Sequence, residues 1–440
     1  MNYQETINYL FTSAPLFQHV GGAAYKEGLY NTHQLDEHFG HPHKQFKTIH
    51  VAGTNGKGSC SHTLAAILQA SGLKVGLFTS PHLVDFRERI RVNGEMVSED
   101  YVVRFVEEHR DFFEPLHPSF FELTTAMAFK YFAEQEVDVA VVEVGLGGRL
   151  DCTNIIMPEV SVITNISFDH VAFLGNTLAK IASEKAGIIK EGIPVVVGEL
   201  TDETRPVFEE KAQAMNAPIH FAEEEEEIVK YKVNKKGGFN YQTKTYGSFS
   251  GALGGFCQLK NTNTILCTVS QLRRRGFHIN NIHVRRGFTR VCEMTGLMGR
   301  WQRLLNRPRV VCDTGHNVGG FTWIVQQLKQ ASIILNNVGG TLRIVFGMVN
   351  DKDISGVLSM MPKDATYYFC QASVARALPH EEIKKKASEY GLMGDSYPTV
   401  EKAYEAALKD AKKKQDFIYV GGSSFVVADL LSSSLICQKN

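Results

Sequence analysis

A lysine, a serine and closely spaced glycines stand together in His50-Val-Ala-Gly-Thr-Asn-Gly-Lys-Gly-Ser59. An extended run, Phe46-Lys-Thr-Ile-His-Val51, leads in, and Cys60-Ser-His-Thr-Leu-Ala-Ala-Ile-Leu-Gln69 reads as a helix leading out. A Gly-rich turn between strand and helix aims backbone N–H groups and a helix N-terminus at one point, which suits phosphate. Lys57 would bring a point charge to the β- and γ-phosphates, and Ser59 a hydroxyl for phosphate or metal, with Thr54, Asn55, Gly56 and Gly58 forming the cradle. The match to G-x-x-x-x-G-K-[ST] is imperfect: Val51 stands at the first glycine, and Gly58 separates Lys57 from Ser59. A turn that binds nothing is the plain alternative. The lysine, the serine and the flanking elements favour a nucleoside triphosphate.

Other residues have weaker claims when taken singly. Glu143 closes the run Val137-Asp-Val-Ala-Val-Val-Glu-Val144. A carboxylate at the C-terminal end of a buried parallel strand is where open α/β sheets place ligand groups, here Mg²⁺ opposite the phosphate loop. The following Gly145-Leu-Gly-Gly148 suggests a dinucleotide fingerprint, but Leu150 occupies the third glycine's place and no helix opens behind it. Ser80, after a strand, is either a turn serine or a hard-oxygen ligand for Mg²⁺. His170 is an unusual magnesium ligand and by default structural. Lys185 is by default an exposed helical lysine; buried beside metal, it would lose its proton and take up CO₂ as a carbamate. In the second half, Asp313 could meet a ribose and His316 a phosphate, against a turn closed by its own Asx bonds. Arg300 could reach the γ-phosphate as an arginine finger does.

The elements that must position these residues come from an alternation of apolar runs and amphipathic stretches. Leu73–Phe78, Val137–Val144, Val160–Thr164 and Pro194–Gly198 read as strands, with helical stretches such as Glu99–Phe113 between them. That order predicts an α/β fold, a parallel-sheet P-loop domain over 1–298. A hairpin appendage is expected at about 219–250, behind the acidic run Glu223–Glu227. A linker at 299–307 would join a smaller Rossmann-like α/β domain over 308–440, where Val310–Thr314, Leu342–Gly347, Ala365–Phe369 and Phe417–Val420 are strand-like. At 440 residues, 43% apolar and 21% charged, the chain has the composition of two or three folded domains. Lys plus Arg and Asp plus Glu both number 47, so no net field calls for nucleic acid or a membrane. The 8 cysteines stand singly, as in a reduced cytoplasmic protein rather than a zinc site. No basic-then-apolar leader and no long apolar run are visible.

Taken in order, these segments resemble the folylpolyglutamate synthase and dihydrofolate synthase family, related to the Mur ligases. The likeness runs through Phe46–Ser59, Thr79-Ser-Pro-His-Leu83, Glu88–Gly94, Glu143–Asp151, Ser183–Ile189, Thr295–Gln302 and Phe346–Asp353. It implies an ATP-dependent amide ligase that adds L-glutamate to a pterin or folate carboxylate through an acyl phosphate. Dihydropteroate and reduced folates would be the acceptors; a Mur-type ligase acting on a UDP-linked sugar peptide is the near rival. The resemblance makes Ser80, Glu143, His170 and carbamylated Lys185 magnesium ligands, with two ions expected, and Asn261 an adenine contact. It makes Arg300, Asp313 and His316 ATP contacts, and places Phe121, Glu122, Leu150, Asp151, Cys152 and Thr153 on the pterin and p-aminobenzoate pocket. Lys57, Glu143, His170, Lys185 and Arg300 would then carry catalysis, in a monomer. The chain departs from the family pattern at Thr314, where a glycine is usual, at Cys152, where alanine is frequent, and in Gly251–Cys257, before Gln258.

Overall fold

The computed structural model describes residues 1–13 and 28–437. Its contacts divide the chain into two compact units. One holds Met1–Val233, Phe239–Ala252 and Gln258–Leu297; the other holds Asn234–Gly238, Leu253–Cys257 and Met298–Asn440.

The first unit is built on strands β1 (Lys47–Ala52), β2 (Val75–Phe78), β3 (Ile90–Val92), β4 (Glu95–Met96), β5 (Val139–Glu143), β6 (Val160–Ile163), β7 (Val195–Val197) and β8 (Ile219–Phe221). Their order is β4-β3-β2-β5-β1-β6-β7-β8. β1 lies inside the sheet, parallel to β5 and β6, and only the β2–β3–β4 end is antiparallel. β5 is buried along its whole length, as expected of a central parallel strand covered on both faces. Register places Val51 beside Glu143, so the strand entering the phosphate loop and the strand ending in the carboxylate finish side by side.

Helices fix this sheet in place. The helix Phe120–Glu134 starts at a capping box in which Ser119 and Glu122 satisfy each other's backbone N–H groups. It buries Phe120, Phe129 and Phe132 in one core with Phe78 and Val142. The phosphate-loop helix, Lys57–Ala70, is buried from Ser59 to Leu68. The helix Asn281–Thr295 packs against it so closely that a Cβ on Gly287 would lie 2.5 Å from the Ile67 side chain.

Two expectations are corrected. The 219–250 appendage is not a hairpin. Ile219–Phe221 is the edge strand β8 of the main sheet, and β9 (Ile228–Val233), β10 (Phe239–Thr243) and β11 (Ser248–Gly251) form a separate antiparallel sheet. The third strand is nearly silent in sequence because Phe249 is its one large apolar residue. The segment 299–307 is not a free linker either. It carries β12 (Gln302–Asn306), antiparallel to β13 (Arg309–Asp313). An edge strand with partly exposed side chains has no apolar run to reveal it.

The second unit has one six-stranded sheet, adding β14 (Leu342–Phe346), β15 (Thr366–Cys370), β16 (Gly394–Tyr397) and β17 (Phe417–Gly421) in the order β12-β13-β17-β14-β15-β16. All pairs except β12–β13 are parallel. Phe321, Ile344, Phe346, Tyr367 and Tyr419 fill one side, and Val345, Cys370, Tyr404 and Val426 the other. Among the described residues no helix is long and apolar enough to cross a membrane.

Candidate active site

The loop after β1 is held by the loop after β6. Thr54 N–H donates to the Asn165 carbonyl at 2.9 Å, and Asn55 N–H to Asn165 Oδ1 at 2.8 Å. Thr164 Oγ1 donates to the Asn55 carbonyl at 2.6 Å, and the Asn55 amide reaches Ser167 Oγ at 3.1 Å. Gly53, at φ +140°, has no room for a side chain: a Cβ would meet Thr164 Oγ1 at 1.9 Å. Gly56, the residue before the helix, sits at φ +87°. The first N–H groups of a helix have no partner within it, so those of Lys57, Gly58 and Ser59 are donors for an anion. Lys57 Nζ lies over the loop, donating to the Gly53 carbonyl at 3.0 Å.

Ser59 points elsewhere. The inserted Gly58 turns it about 100° around the helix, and its buried hydroxyl accepts from Gln258 Nε2 at 3.1 Å. Gln258 Oε1 in turn accepts from Asn261 Nδ2 at 3.0 Å, so Asn261 is packed behind Gly56.

Next to this cradle, Glu143 is 3% exposed at the end of β5, and Ser80 N–H points at its Oε2 at 3.4 Å. The glycines that follow serve close packing rather than a dinucleotide. A Cβ on Gly145 would lie 2.4 Å from the Phe121 ring, and one on Gly148 would lie 2.8 Å from the Glu184 carbonyl. Arg149 N–H donates to that carbonyl at 2.8 Å. The loop is thereby docked on the helix Leu178–Ala186, which carries Lys185.

Lys185 is 4% exposed. Burial first and the nearby Lys57 charge second push its pKa down to about 7, against the opposing pull of Asp169, Asp151 and Glu184. A buried lysine with a pKa near 7 keeps a large neutral fraction at that pH, and the neutral amine is a nucleophile. His170 sits at φ +50°, ahead of the short helix Val171–Leu174, with Nε2 3.8 Å from Asp169 Oδ1. Among the described residues no three His, Cys, Asp or Glu side chains converge as a metal cage. The donor set still suits Mg²⁺, which takes one or two carboxylates together with water and substrate phosphates. Glu143 beside Ser80 offers that.

The residues expected to line the acceptor pocket are ordered by their own bonds. Phe121 faces Gly145 and packs on Phe78 at 5.7 Å. The Glu122 carboxylate is taken by Ser119 N–H at 2.6 Å as the helix cap. Leu150 is half-buried, and the Cys152 thiol is raised well above its ordinary pKa by burial and then by Asp151. Asp151 Oδ2 accepts from Gly145 and Leu146 N–H at 2.9 and 2.8 Å, and Oδ1 from the Thr153 N–H and hydroxyl. With its proton given to Asp151, Thr153 Oγ1 accepts from His50 Nε2 at 2.8 Å. Sequence reasoning missed His50, Asn165 and Gln258. A histidine inside a strand that is buried from Thr48 to Ala52 was the available signal for the first.

In the second unit, Arg300 Nη1 donates to Thr314 Oγ1, and Asp313 receives Trp301 N–H at 2.7 Å and Gly315 N–H at 2.8 Å. His316 Nδ1 is 3.2 Å from the Thr314 carbonyl, and Asn317 caps the helix Val318–Asn337. Arg300, Asp313 and His316 therefore belong to one local cluster.

A phosphate loop on a parallel sheet, followed by a second α/β unit, defines a ligase of the Mur type. The Mur ligase middle domain family model matches residues 51–267, and the Mur ligase glutamate ligase domain model matches residues 299–424. The chain belongs to the dihydrofolate synthase/folylpolyglutamate synthase family. It is 32% identical to the dihydrofolate synthase/folylpolyglutamate synthase of Bacillus subtilis over 92% of this chain and 94% of that protein. The folylpolyglutamate synthase of Mycobacterium tuberculosis, solved with ADP and AMPPCP, superposes with a TM-score of 0.84 at 28% identity, covering 98% of both chains. The bifunctional folylpolyglutamate synthase/dihydrofolate synthase of Yersinia pestis, solved with AMPPNP and a Mn ion, gives a TM-score of 0.77 at 29% identity and 98% of both chains.

Proposed function

We propose that this protein is an ATP-dependent ligase that joins L-glutamate to the carboxylate of a pterin-bearing acceptor, with both dihydropteroate and reduced folates as acceptors. One observation carries the reading. The glycine loop and the Ser80–Glu143 pair lie at the C-terminal ends of neighbouring strands of one sheet, and buried Lys185 is near enough to Lys57 for that charge to depress its pKa. Similarity to the folate enzymes along almost the entire chain favours this acceptor class over a UDP-sugar peptide.

A carboxylate is a poor electrophile. In the proposed reaction its oxygen attacks the γ-phosphorus, the bond to the β-phosphate oxygen breaks, and ADP leaves. The amine of glutamate then attacks the acyl carbon; the C–O bond to phosphate breaks, and the nitrogen gives up a proton. Lys57 and Arg300 would offset negative charge on the transferring phosphoryl group, which is usually the largest catalytic contribution. Thr54, Asn55, Gly56, Gly58 and Ser59 would shape the phosphate cradle, while Asn261 would meet the adenine and Asp313 and His316 the rest of ATP. Magnesium, held by Ser80 and Glu143 at one position and by His170 and a Lys185 carbamate at another, would supply further charge neutralisation. The carbamate forms when the neutral Lys185 amine adds to CO₂ and releases a proton. Phe121, Leu150, Cys152 and Thr153 would border the acceptor, with Glu122 and Asp151 holding that border in shape. The reading further includes a cytoplasmic monomer.

The test is ADP release with ATP, Mg²⁺ and L-glutamate, comparing dihydropteroate with tetrahydrofolate. Turnover with both is expected. Turnover with one assigns the enzyme to that acceptor, and none with either overturns the reading.

A further inference from the structure

The turn that presents Arg300 is unusually constrained. Gly299 sits at φ +69° and Trp301 at φ +45°, a region that a bulky side chain seldom enters. The Asp313 carboxylate fixes Trp301 through its N–H at 2.7 Å, and the indole packs on Tyr419 at 5.8 Å. The Gly299 N–H is taken by Gln302 Oε1 at 2.7 Å. On the other side of the turn stands Thr314, 8% exposed, at a position where the resemblance led us to expect glycine. Its N–H donates to the Gly299 carbonyl at 3.0 Å. Its hydroxyl donates to the same carbonyl at 3.2 Å, and so its oxygen is left to accept from Arg300 Nη1. A hydroxyl has one proton and two lone pairs, and both roles are filled here without conflict.

We propose that Thr314 is a positioning residue for Arg300, its hydroxyl bridging the Gly299 carbonyl and the Arg300 guanidinium so that the guanidinium is set before nucleotide arrives. The bridge engages Nη1. The Nε–H and the Nη2 amino group remain for the fork of bonds an arginine makes to phosphate oxygens. A glycine at this position would hold the turn through its N–H but leave the guanidinium only its longer bond from Nη1 to the Gly299 carbonyl, at 3.4 Å. The inference rests on the proposed phosphate contact of Arg300.

The experiment compares Thr314→Val and Thr314→Ser in the native chain and in an Arg300→Ala background, reading kcat and the KM values for ATP and for glutamate by ADP release and the melting temperature alongside. Thr314→Val should lower kcat about tenfold, the loss expected when a hydrogen bond to a charged group is removed, while the KM for glutamate holds. Thr314→Ser should restore it, and in the Arg300→Ala background Thr314→Val should have no further effect. An unchanged kcat in Thr314→Val overturns the proposal. So does an equal loss in the Arg300→Ala background, or a loss that serine fails to restore. Arg300→Ala at native turnover overturns the reading beneath it, and that arm does not involve Thr314.

Discussion

Asn261 closes the space behind Gly56: a Cβ built on that glycine would stand 2.4 Å from Asn261 Oδ1. The same glycine is at φ +87°, where an L-residue is strained in any surroundings. Gly56→Ala should therefore cost about 1–3 kcal/mol of stability and shift the helix start that faces phosphate. Calorimetric titration with ADP should show at least tenfold weaker binding than the native chain. Unchanged affinity would mean that the loop has slack the packing does not reveal.

Lys57→Ala should abolish turnover while leaving the fold intact, because among the described residues its ammonium bonds the loop carbonyls of Gly53 and Thr54. It should also raise the pKa of Lys185, since the Lys57 charge is one of the two causes that lower it. Titrating the Lys185 side-chain resonance in both proteins measures this. A fall in the variant would contradict the electrostatics.

Carbamate formation needs the neutral amine, which at Lys185 becomes the main form above a pH of about 7. With ¹³C-bicarbonate present, a carbamate signal should grow between pH 6 and 8 and be missing in Lys185→Ala. That variant should lose most activity and recover part of it with added short carboxylates. Full activity without rescue would remove the carbamate from the chemistry.

Burial depresses the His50 pKa from 6.5 to about 3, with Lys190 adding to the effect. The folded chain thus keeps His50 neutral while the unfolded chain protonates it below pH 6.5. Stability from this residue is fully present above pH 6.5 and is lost as pH falls from there toward 3. At pH 4.5 the loss should reach up to about 2–3 kcal/mol. His50→Gln keeps a donor for Thr153 but cannot titrate. Urea unfolding at pH 7.5 and 4.5 should show a smaller acid penalty in the variant, and equal penalties would refute the assignment.

Asp151→Asn exchanges an acceptor for a donor on a carboxylate that receives three backbone N–H groups and a hydroxyl. About 2–4 kcal/mol should be lost, since the orphaned donors stay buried. If the glycine loop borders the acceptor, KM for the acceptor should rise more than KM for ATP in steady-state assays.

The main sheet was readable because its central strands are short runs rich in Val, Ile and Ala, and Glu143 was readable because one of those runs ends in an acid. What escaped was written in residues without a hydrophobic signal. β12 consists of Gln302, Arg303, Leu304, Leu305 and Asn306, partly exposed and at an edge. Ser59 was assigned a phosphate role by its type, but its direction depends on the extra Gly58 and on Gln258, far away in sequence. The carboxylate of Glu122 is occupied by capping its own helix, a use that Ser119 three residues earlier signalled. Lys185 illustrates the limit most plainly: its helix is amphipathic like many others, and only tertiary packing makes the lysine a buried one.

The bond from Arg149 N–H to the Glu184 carbonyl, with Gly148 and Gly187 pressed against the same crossing, has a consequence for how this lineage can diversify. An insertion or deletion between Gly145 and Arg149 would carry the Lys185 helix with it, and the spacing from Glu143 to Lys185 would drift. Packing thus constrains the length of that segment as tightly as it constrains Gly145 and Gly148 within it. Adaptation to a differently sized acceptor has to be recruited from surfaces that do not touch this joint.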